Sequence, residues 1–182
     1  MIEPKLRVWP EGVGGETDST AGLIELCTDW IKPDMIGAEI GSYAGVSTEV
    51  ITSFCKALYC VDPWNTASKK GYTILSEDQL NEAEAKFDLL HQSLPPGKIL
   101  KYKMFSVVGS TTVPSDLDFV YIDGAHDKAN ATIDVLLWGE KLKPGGLLMG
   151  HDFTCVHLVL KYLGLPLERV YKDDSWVIIK PK

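Results

Sequence analysis

The apolar residues of this chain follow two periods that alternate from one end to the other. Short runs of mainly apolar residues have the length of β-strands, and between them apolar residues recur every three to four positions, as in amphipathic α-helices. This alternation predicts an α/β fold with three layers, a Rossmann-like doubly wound sheet that is mostly parallel. The predicted strands are 35–40, 57–61, 99–105, 117–122, 147–150, 167–171 and 176–180, and the predicted helices are 20–31, a helix from Val46, 76–94, 128–142 and 155–163.

Only four residues, Lys172 to Ser175, join the last two predicted strands. A parallel crossover needs about a dozen residues or more, so this link permits only a hairpin. We therefore expect the sheet to end with an antiparallel strand.

A glycine-containing turn separates the first predicted strand from the helix that follows it. Gly41 and Gly45 can adopt a positive φ and let the backbone approach a ligand closely. Glu39 lies near the end of that strand, and three more carboxylates come at or just after the ends of later strands. Because the carboxyl ends of parallel strands share one edge of a sheet, we predict a ligand site at that edge. The three later carboxylates are Asp62, Asp123 and Asp152.

The chain of 182 residues fits one domain. Residues 1–18 contain Pro4, Pro10 and three glycines, which predicts an irregular arm or lid, and residues 19–182 are expected to form the domain itself.

Charge and hydropathy exclude several classes of partner. The formal net charge is −7 with a pI near 5.1, and no run of basic residues occurs, which argues against binding nucleic acid or anionic lipid. No segment approaches the roughly 20 apolar residues of a membrane span, and the start lacks the apolar stretch of a signal peptide, so a cytoplasmic protein is expected. The four cysteines form no C-x-x-C pair and lie in apolar surroundings, as buried thiols do.

The order of these motifs resembles the class I S-adenosylmethionine-dependent methyltransferases. The turn at 39–47 (EIGSYAGVS) is similar to that of the catechol and caffeoyl O-methyltransferase group. The run 117–126 (LDFVYIDGAH), with LKPGG at 142–146 and GHD at 150–152, is similar to small bacterial enzymes of the macrocin O-methyltransferase type. The resemblance covers about residues 20–180 and implies methyl transfer from S-adenosylmethionine to an oxygen, less readily a nitrogen, of a small molecule.

The same resemblance implies a set of cofactor contacts. Glu39 would take the methionine ammonium, directly or through water, while backbone around Gly41 and the Ser47 hydroxyl would meet the carboxylate. Asp62 would accept hydrogen bonds from both ribose hydroxyls. Further residues expected near the cofactor are Ser42, Tyr43, Gly45, Trp64, Ser106 and Asp123. For Tyr43, Trp64 and Ser106, ordinary packing or a solvated turn stays open as the alternative.

The resemblance also implies a candidate cation and a candidate base. In the metal-dependent relatives the residue matching Asp123 binds a divalent cation that lowers the pKa of the acceptor hydroxyl, and Asp152 with His151 occupies the second ligand position. Imidazole is a poor ligand for Mg²⁺, so Mg²⁺, another divalent cation and no metal all stay open. His126 falls where the catechol group has its catalytic lysine, and an imidazole can take a proton near neutral pH. A structural His126, hydrogen-bonded to loop backbone, is the alternative.

Two other functions stay open, a donor-binding module without catalysis and a nicotinamide-dependent oxidoreductase. The second is disfavoured because Gly45 is the first glycine after Gly41, where a dinucleotide fold would carry G-x-G-x-x-G. Contacts to the methyl acceptor are expected in residues 1–18 and 65–75, whose aromatic residues include Trp9 and Tyr72. The terminal hairpin and the first helix are candidate surfaces for a homodimer.

Overall fold

A computed structural model describes Glu3 and residues 20–65, 75–125 and 127–181. In this part of the chain seven strands alternate with six helices. The strands are β1 (Ile36–Ile40), β2 (Ala57–Asp62), β3 (Ile99–Lys103), β4 (Leu117–Ile122), β5 (Leu142–Gly150), β6 (Leu167–Val170) and β7 (Trp176–Ile179). The helices are α1 (Ala21–Trp30), α2 (Val46–Thr52), α3 (Glu77–Ser93), α4 (Ser106–Thr112), α5 (Lys128–Glu140) and α6 (Phe153–Tyr162).

The strands form one sheet in the order β3-β2-β1-β4-β5-β7-β6. The first five strands pair in parallel, and β7 is antiparallel to both of its neighbours, β5 and β6. The predicted doubly wound sheet and its antiparallel hairpin are therefore confirmed. The strand order reverses between β1 and β4, and a reversal of this kind opens a crevice at the carboxyl ends of the two strands.

Two hydrophobic clusters cover the two faces of the sheet. Alternate residues of β4 show the division, because Phe119 and Tyr121 belong to one cluster while Val120 and Ile122 belong to the other. The first cluster includes residues of α1, α2 and α3, and the second includes residues of α5 and α6. A strand buried on both faces reads as a continuous apolar run, which is why the central strands were predictable.

A capping box begins α3, within the predicted helix 76–94. The Gln79 N–H donates to the Ser76 hydroxyl at 3.2 Å, and the Ser76 N–H donates to Gln79 Oε1 at 2.8 Å. This reciprocal pair satisfies two backbone donors that a helix start otherwise leaves open.

Two elements differ from the prediction. Helix α4 was not predicted, because strand three was expected to continue to Phe105, whereas β3 ends at Lys103. Strand β5 begins at Leu142, so the glycine-containing segment before Leu147 belongs to the strand instead of forming a turn. The carbonyl of Gly146 accepts the Lys180 N–H at 2.8 Å, and this contact holds the segment against the end of the hairpin.

The hairpin of β6 and β7 makes hydrogen bonds to both ends of α1. Asp173 Oδ2, in the loop between the two strands, accepts the N–H of Leu23 at 2.7 Å. A Cβ at Gly22 would stand 2.0 Å from Asp173 Oδ1, so a larger residue there would displace this carboxylate. At the other end of α1, the Trp30 indole donates to the hydroxyl of Tyr171 at 2.9 Å. Part of each candidate dimer surface is thus covered within the chain itself.

None of the helices in residues 20–65, 75–125 and 127–181 is both long and apolar enough to cross a bilayer.

A buried carboxylate joins α5 to α4. Asp134 is 5% exposed, and its Oδ1 accepts a short hydrogen bond from the hydroxyl of Ser106. Burial raises the pKa of Asp134 to about 6, the Ser106 hydrogen bond opposes the shift, and the nearby charge of Asp127 adds to it. An ionised carboxylate here is stable only because it is hydrogen-bonded, and its burial still favours the protonated form.

We expect Asp134 to make stability depend on pH. Between about pH 4 and 6 the folded chain holds a proton at Asp134 that the unfolded chain has released, since an unfolded Asp titrates near pH 3.9. The contribution of Asp134 to the free energy of unfolding therefore falls as pH rises through this window, by at most about 1.4 kcal/mol per pH unit for one proton. Asp134→Asn removes this contribution, so between pH 4 and 6 the slope of the free energy of unfolding against pH should be more positive in the variant than in the wild type, as measured by urea unfolding at pH 4, 5, 6 and 7. Asp116→Asn, at an exposed position, is the control, and an unchanged slope in Asp134→Asn would contradict the assignment.

Candidate functional site

The exits of β1 and β4 approach each other at Gly41. This residue has a φ of +90°, and a Cβ at this position would stand 2.2 Å from the carbonyl oxygen of Asp123. The Gly41 N–H donates to Val61 O at 2.9 Å, and the Asp123 N–H donates to Ile40 O at 2.8 Å. Only glycine combines the left-handed backbone with so close an approach, so the predicted need for glycine at this turn has a steric cause.

The carboxylate of Glu39 lies beneath the turn and is fully buried. Its Oε2 accepts hydrogen bonds from Ser42 at 2.7 Å and from Thr48 at 2.5 Å. Burial raises the pKa of Glu39, whereas the hydroxyls of Ser47, Thr48 and Ser42 lower it. Glu39 therefore anchors the turn to the first residues of α2. Sequence reasoning missed Thr48, although a second hydroxyl directly after Ser47 was a readable signal.

Asp62 accepts hydrogen bonds from the backbone that follows β1 and from the backbone that follows β2. Its Oδ2 accepts the N–H of Tyr43 at 3.0 Å, and its Oδ1 accepts the N–H of Trp64 at 2.7 Å. Both partners have a positive φ, 44° for Tyr43 and 41° for Trp64, which non-glycine residues rarely adopt. Burial raises the pKa of Asp62, and the two backbone hydrogen bonds oppose that shift. The carboxylate holds a strained turn in place, and two of its roughly four acceptor positions remain for a ligand.

Trp64 packs in the core. Its indole is 2% exposed, its Nε1 donates to Tyr43 O at 2.8 Å, and its ring lies 4.9 Å from that of Phe87. On the face of the sheet that α3 covers, Lys101 Nζ lies 4.7 Å from the centroid of the Trp64 ring. These contacts favour the packing alternative for Trp64 over a place in the wall of a ligand pocket. Tyr43 is half-buried and packs against the same cluster.

Ser106 is the first residue of α4 and is half-buried. Besides its contact with Asp134, its Oγ accepts the indole N–H of Trp138 at 2.8 Å. Neither Asp134 nor Trp138 was singled out from the sequence. An aspartate four residues before a tryptophan, inside an otherwise apolar helix face, was the available signal, because carboxylates are rarely buried without a partner.

Asp123, His151 and Asp152 come together at the ends of β4 and β5. His151 Nδ1 lies 3.3 Å from Asp152 Oδ1 and 3.9 Å from Asp123 Oδ1. One ligand atom from each of the three residues lies within 4.8 Å of the others. The side chain of Asp123 is 5% exposed and that of Asp152 is 32% exposed, so a ligand can reach the group from the side of Asp152. Two carboxylate oxygens and an imidazole nitrogen are a donor set that divalent transition metals accept.

Several predicted residues lie outside the described part of the chain. They include His126, the candidate base, and the two aromatic residues expected near the acceptor, Trp9 and Tyr72. Their roles stay predictions from sequence.

Comparison with known proteins identifies the fold and the family. The family profile described as a methyltransferase domain matches residues 38–153, which is more than half of the chain. A search of curated proteins finds no match.

Solved structures of similar fold include three with stated activities. Precorrin-8w decarboxylase of Methanobacterium thermoautotrophicum is 14% identical with a TM-score of 0.64, and the match covers 98% of both chains. The N-methyltransferase NodS of Bradyrhizobium japonicum, in complex with S-adenosyl-L-homocysteine, is 17% identical with a TM-score of 0.58, covering 87% of this chain and 83% of NodS. An rRNA methylase of Streptococcus thermophilus is 12% identical with a TM-score of 0.55, covering 88% of this chain and 95% of that one.

At these identities the structures establish the fold alone. The family match begins within β1 and includes the glycine turn, the acids at the strand ends and the first residue of α6. The chain therefore belongs to the methyltransferase-domain family.

Proposed function

We propose that this protein transfers a methyl group from S-adenosylmethionine to an oxygen atom of a small molecule. The observation that carries the proposal is the rigid glycine turn at the β1–β4 crevice, with Asp62 on one side and Asp123 on the other. Such a crevice is where open α/β sheets bind ligands. The family match and the S-adenosyl-L-homocysteine bound in the NodS structure support this choice of cofactor.

The charges at this edge favour a cationic ligand. Four carboxylates, Glu39, Asp62, Asp123 and Asp152, follow or end the parallel strands that meet here. S-adenosylmethionine, with a sulfonium, an ammonium and a carboxylate, has a net charge of about +1, whereas the diphosphate of a nicotinamide dinucleotide is negatively charged. This electrostatic argument adds to the missing G-x-G-x-x-G motif in disfavouring the oxidoreductase.

Asp62 is the residue best placed to bind the ribose. Its two backbone hydrogen bonds fix the carboxylate, and the remaining acceptor positions suit the two adjacent hydroxyls of a ribose. Glu39, which is buried under the turn, would act on the methionine ammonium through water or through the field of its charge. In this arrangement the cofactor enters a preformed site, because the turn is already held by both carboxylates.

Methyl transfer needs little chemistry from the protein beyond positioning. An oxygen nucleophile must lie in line with the sulfonium–methyl bond, and alignment of this kind can supply on the order of 7 to 11 kcal/mol. A general base must accept the proton of the acceptor hydroxyl, and His126 is the candidate. An acceptor oxygen is favoured over nitrogen because a candidate base and a candidate cation site both act on a hydroxyl.

Asp123, His151 and Asp152 fit a divalent cation. Imidazole in the donor set favours Mn²⁺ or another transition metal over Mg²⁺. When bound, such a cation would lower the pKa of an acceptor hydroxyl. The pairing of β4 with β5 brings the three side chains together, so the site is built before any cation enters.

We expect the cofactor product to bind at Asp62. Calorimetric titration with S-adenosylhomocysteine should show one saturable site, and Asp62→Ala should weaken it by about tenfold to hundredfold, since charge-assisted hydrogen bonds are lost. Asp34→Ala, exposed at the opposite edge of the sheet, should bind like the wild type. A thermal melt of each variant checks that the turn has not unfolded. Tighter binding of NADH than of S-adenosylhomocysteine would refute the proposed cofactor.

The cation site can be tested without any methyl acceptor. Mn²⁺ added to chelator-treated protein should bind at one site, detected by electron paramagnetic resonance, and Asp152→Asn should weaken that binding by at least about tenfold because one charged ligand is lost. Asp34→Asn serves as the control for loss of a surface charge. Equal Mn²⁺ binding in wild type and Asp152→Asn would exclude these three residues as a cation site.

The candidate base makes a separate prediction about rate. With an acceptor found by screening hydroxylated small molecules, His126→Ala should lower kcat at pH 7 by about hundredfold, the usual contribution of a general base. His157→Ala, which removes an exposed imidazole on α6, should leave kcat unchanged. If His126→Ala stays within about threefold of the wild type, the proton leaves by another route. A protein that binds S-adenosylhomocysteine yet methylates nothing would be the non-catalytic module.

A further inference from the structure

The outer surface of the layer formed by α4, α5 and α6 is apolar. The three helices lie side by side on the second hydrophobic cluster, with α5 between α4 and α6. In the described part of the chain, α1, α2 and α3 on the opposite face of the sheet carry one exposed large apolar side chain, that of Leu89. Helices α4, α5 and α6 carry six, and the surface that these form is called the α4–α6 face: Val107, Val108, Ile133, Leu136, Leu158 and Tyr162.

The charges of the helices are divided between the same two faces. Helices α1, α2 and α3 contain eight acidic residues and one lysine. Helices α4, α5 and α6 contain two lysines and two acidic residues, and one of these acids, Asp134, is buried. Because the formal net charge of the chain is −7, two copies of it repel each other least when they meet through the uncharged part of the surface. The α4–α6 face therefore suits a second copy of this chain.

The exposed side of α5 is complementary to itself. Ala129, Ile133, Leu136 and Glu140 are exposed and follow one another at intervals of four, three and four residues, which places them along one side of the helix. Lys128 is exposed at the first position of the helix, and Glu140 is at the last. An antiparallel crossing of two copies of α5 sets Ile133 of each beside Leu136 of the other, and Glu140 of each near Lys128 of the other. A parallel crossing would bring like charges together at both ends, so the charges favour the antiparallel one.

The two surfaces that the sequence offered for a dimer are partly occupied by each other. Besides the hydrogen bonds at both ends of α1, Arg169 on β6 donates to Asp29 Oδ2 on α1 at 2.8 Å, and it also contacts Glu25. The charged side chains of α1 and of the hairpin are thus paired within one chain. This pairing favours the α4–α6 face over the hairpin as the place where a second copy binds.

We propose that this protein forms a two-fold symmetric homodimer in which the α4–α6 faces of two copies pack together and their α5 helices cross in antiparallel. A two-fold axis makes each contact occur twice, so a single apolar stripe and one pair of opposite charges serve both copies. The proposal is independent of the cofactor, because none of the exposed residues of the α4–α6 face belongs to the candidate site.

Sedimentation equilibrium of the full chain tests the proposal, over a range of about 1 to 100 μM that spans weak and strong dimers. The wild type should sediment with twice the chain mass of 20.1 kDa. Leu136→Glu should sediment at 20.1 kDa, because the dimer would bury its charge against Ile133 of the other copy. Leu89→Glu is the matched control, since it makes the same change at an exposed leucine of α3 and should stay dimeric.

Exchange of the charges at the two ends of α5 tests the antiparallel crossing. Glu140→Lys should weaken the dimer by about tenfold at low salt, because it brings two lysines together at both ends. The double variant Lys128→Glu with Glu140→Lys should recover the wild-type affinity. Asp34→Lys, at an exposed position, changes the net charge as much as Glu140→Lys does and should leave the affinity unchanged. A double variant as weak as Glu140→Lys would overturn the antiparallel crossing.

Three results would overturn the proposed dimer itself. One is a wild type of 20.1 kDa at every concentration, even if Leu136→Glu lowers the melting temperature, since another segment of the same chain would then cover the face. The others are a dimer that persists in Leu136→Glu and a dimer that dissociates in Leu89→Glu, because either would place the contact elsewhere. If circular dichroism shows that Leu136→Glu is unfolded, the charge-exchange variants decide the outcome.

Discussion

The whole edge of the sheet depends on the contact between the backbone of Gly41 and that of Asp123. A side chain at residue 41 would need to occupy space 2.2 Å from a carbonyl oxygen, so the exits of β1 and β4 can meet only through a glycine. Once they meet, the Asp123 N–H bonds to Ile40 O, and the His151 N–H bonds to Ile122 O at 2.9 Å. The carboxyl ends of β1, β4 and β5 are thereby aligned with one another. This alignment fixes the positions of Asp123 and Asp152, the acids that follow β4 and β5.

The acids of this edge are held at some cost to stability. Burial raises the pKa of Glu39 and Asp62, which means that each carboxylate is less stable when charged than it would be in water. Hydroxyls and backbone N–H groups compensate in part, and they also fix the direction in which each carboxylate points. A site assembled in this way needs little rearrangement when a ligand arrives, which is the usual advantage of preorganisation.

The sheet and its edge could be predicted because their signals are local. Strands buried on both faces read as apolar runs, and glycines and acids mark where they end. Helix α4 could not be predicted in this way. Its seven residues carry no charge and little periodicity, and the helix packs because Gly109 brings it within contact of Val61 and Trp138.

Local sequence signals were also insufficient within the site. The positions of Glu39, Asp62 and the cluster around Asp123 could be predicted from the strand ends, but their hydrogen-bond partners could not. Tyr43 and Trp64 donate to Asp62 only because both adopt a positive φ, a conformation that no residue preference would have assigned to an aromatic side chain. The sequence left two roles open for Trp64, and its burial beside Phe87 favours packing.

The contact between Asp173 and α1 also bears on the order in which the protein can mature during synthesis. The carboxylate of Asp173, which accepts the Leu23 N–H, comes 150 residues after Leu23, and a Cβ at Gly22 would displace it. During synthesis the amino-terminal turn of α1 therefore obtains this partner only after Asp173 has emerged, later than all five parallel strands. A chain stalled short of the hairpin would lack the hydrogen bonds at both ends of α1, at Leu23 and at Trp30, although its parallel strands were already complete.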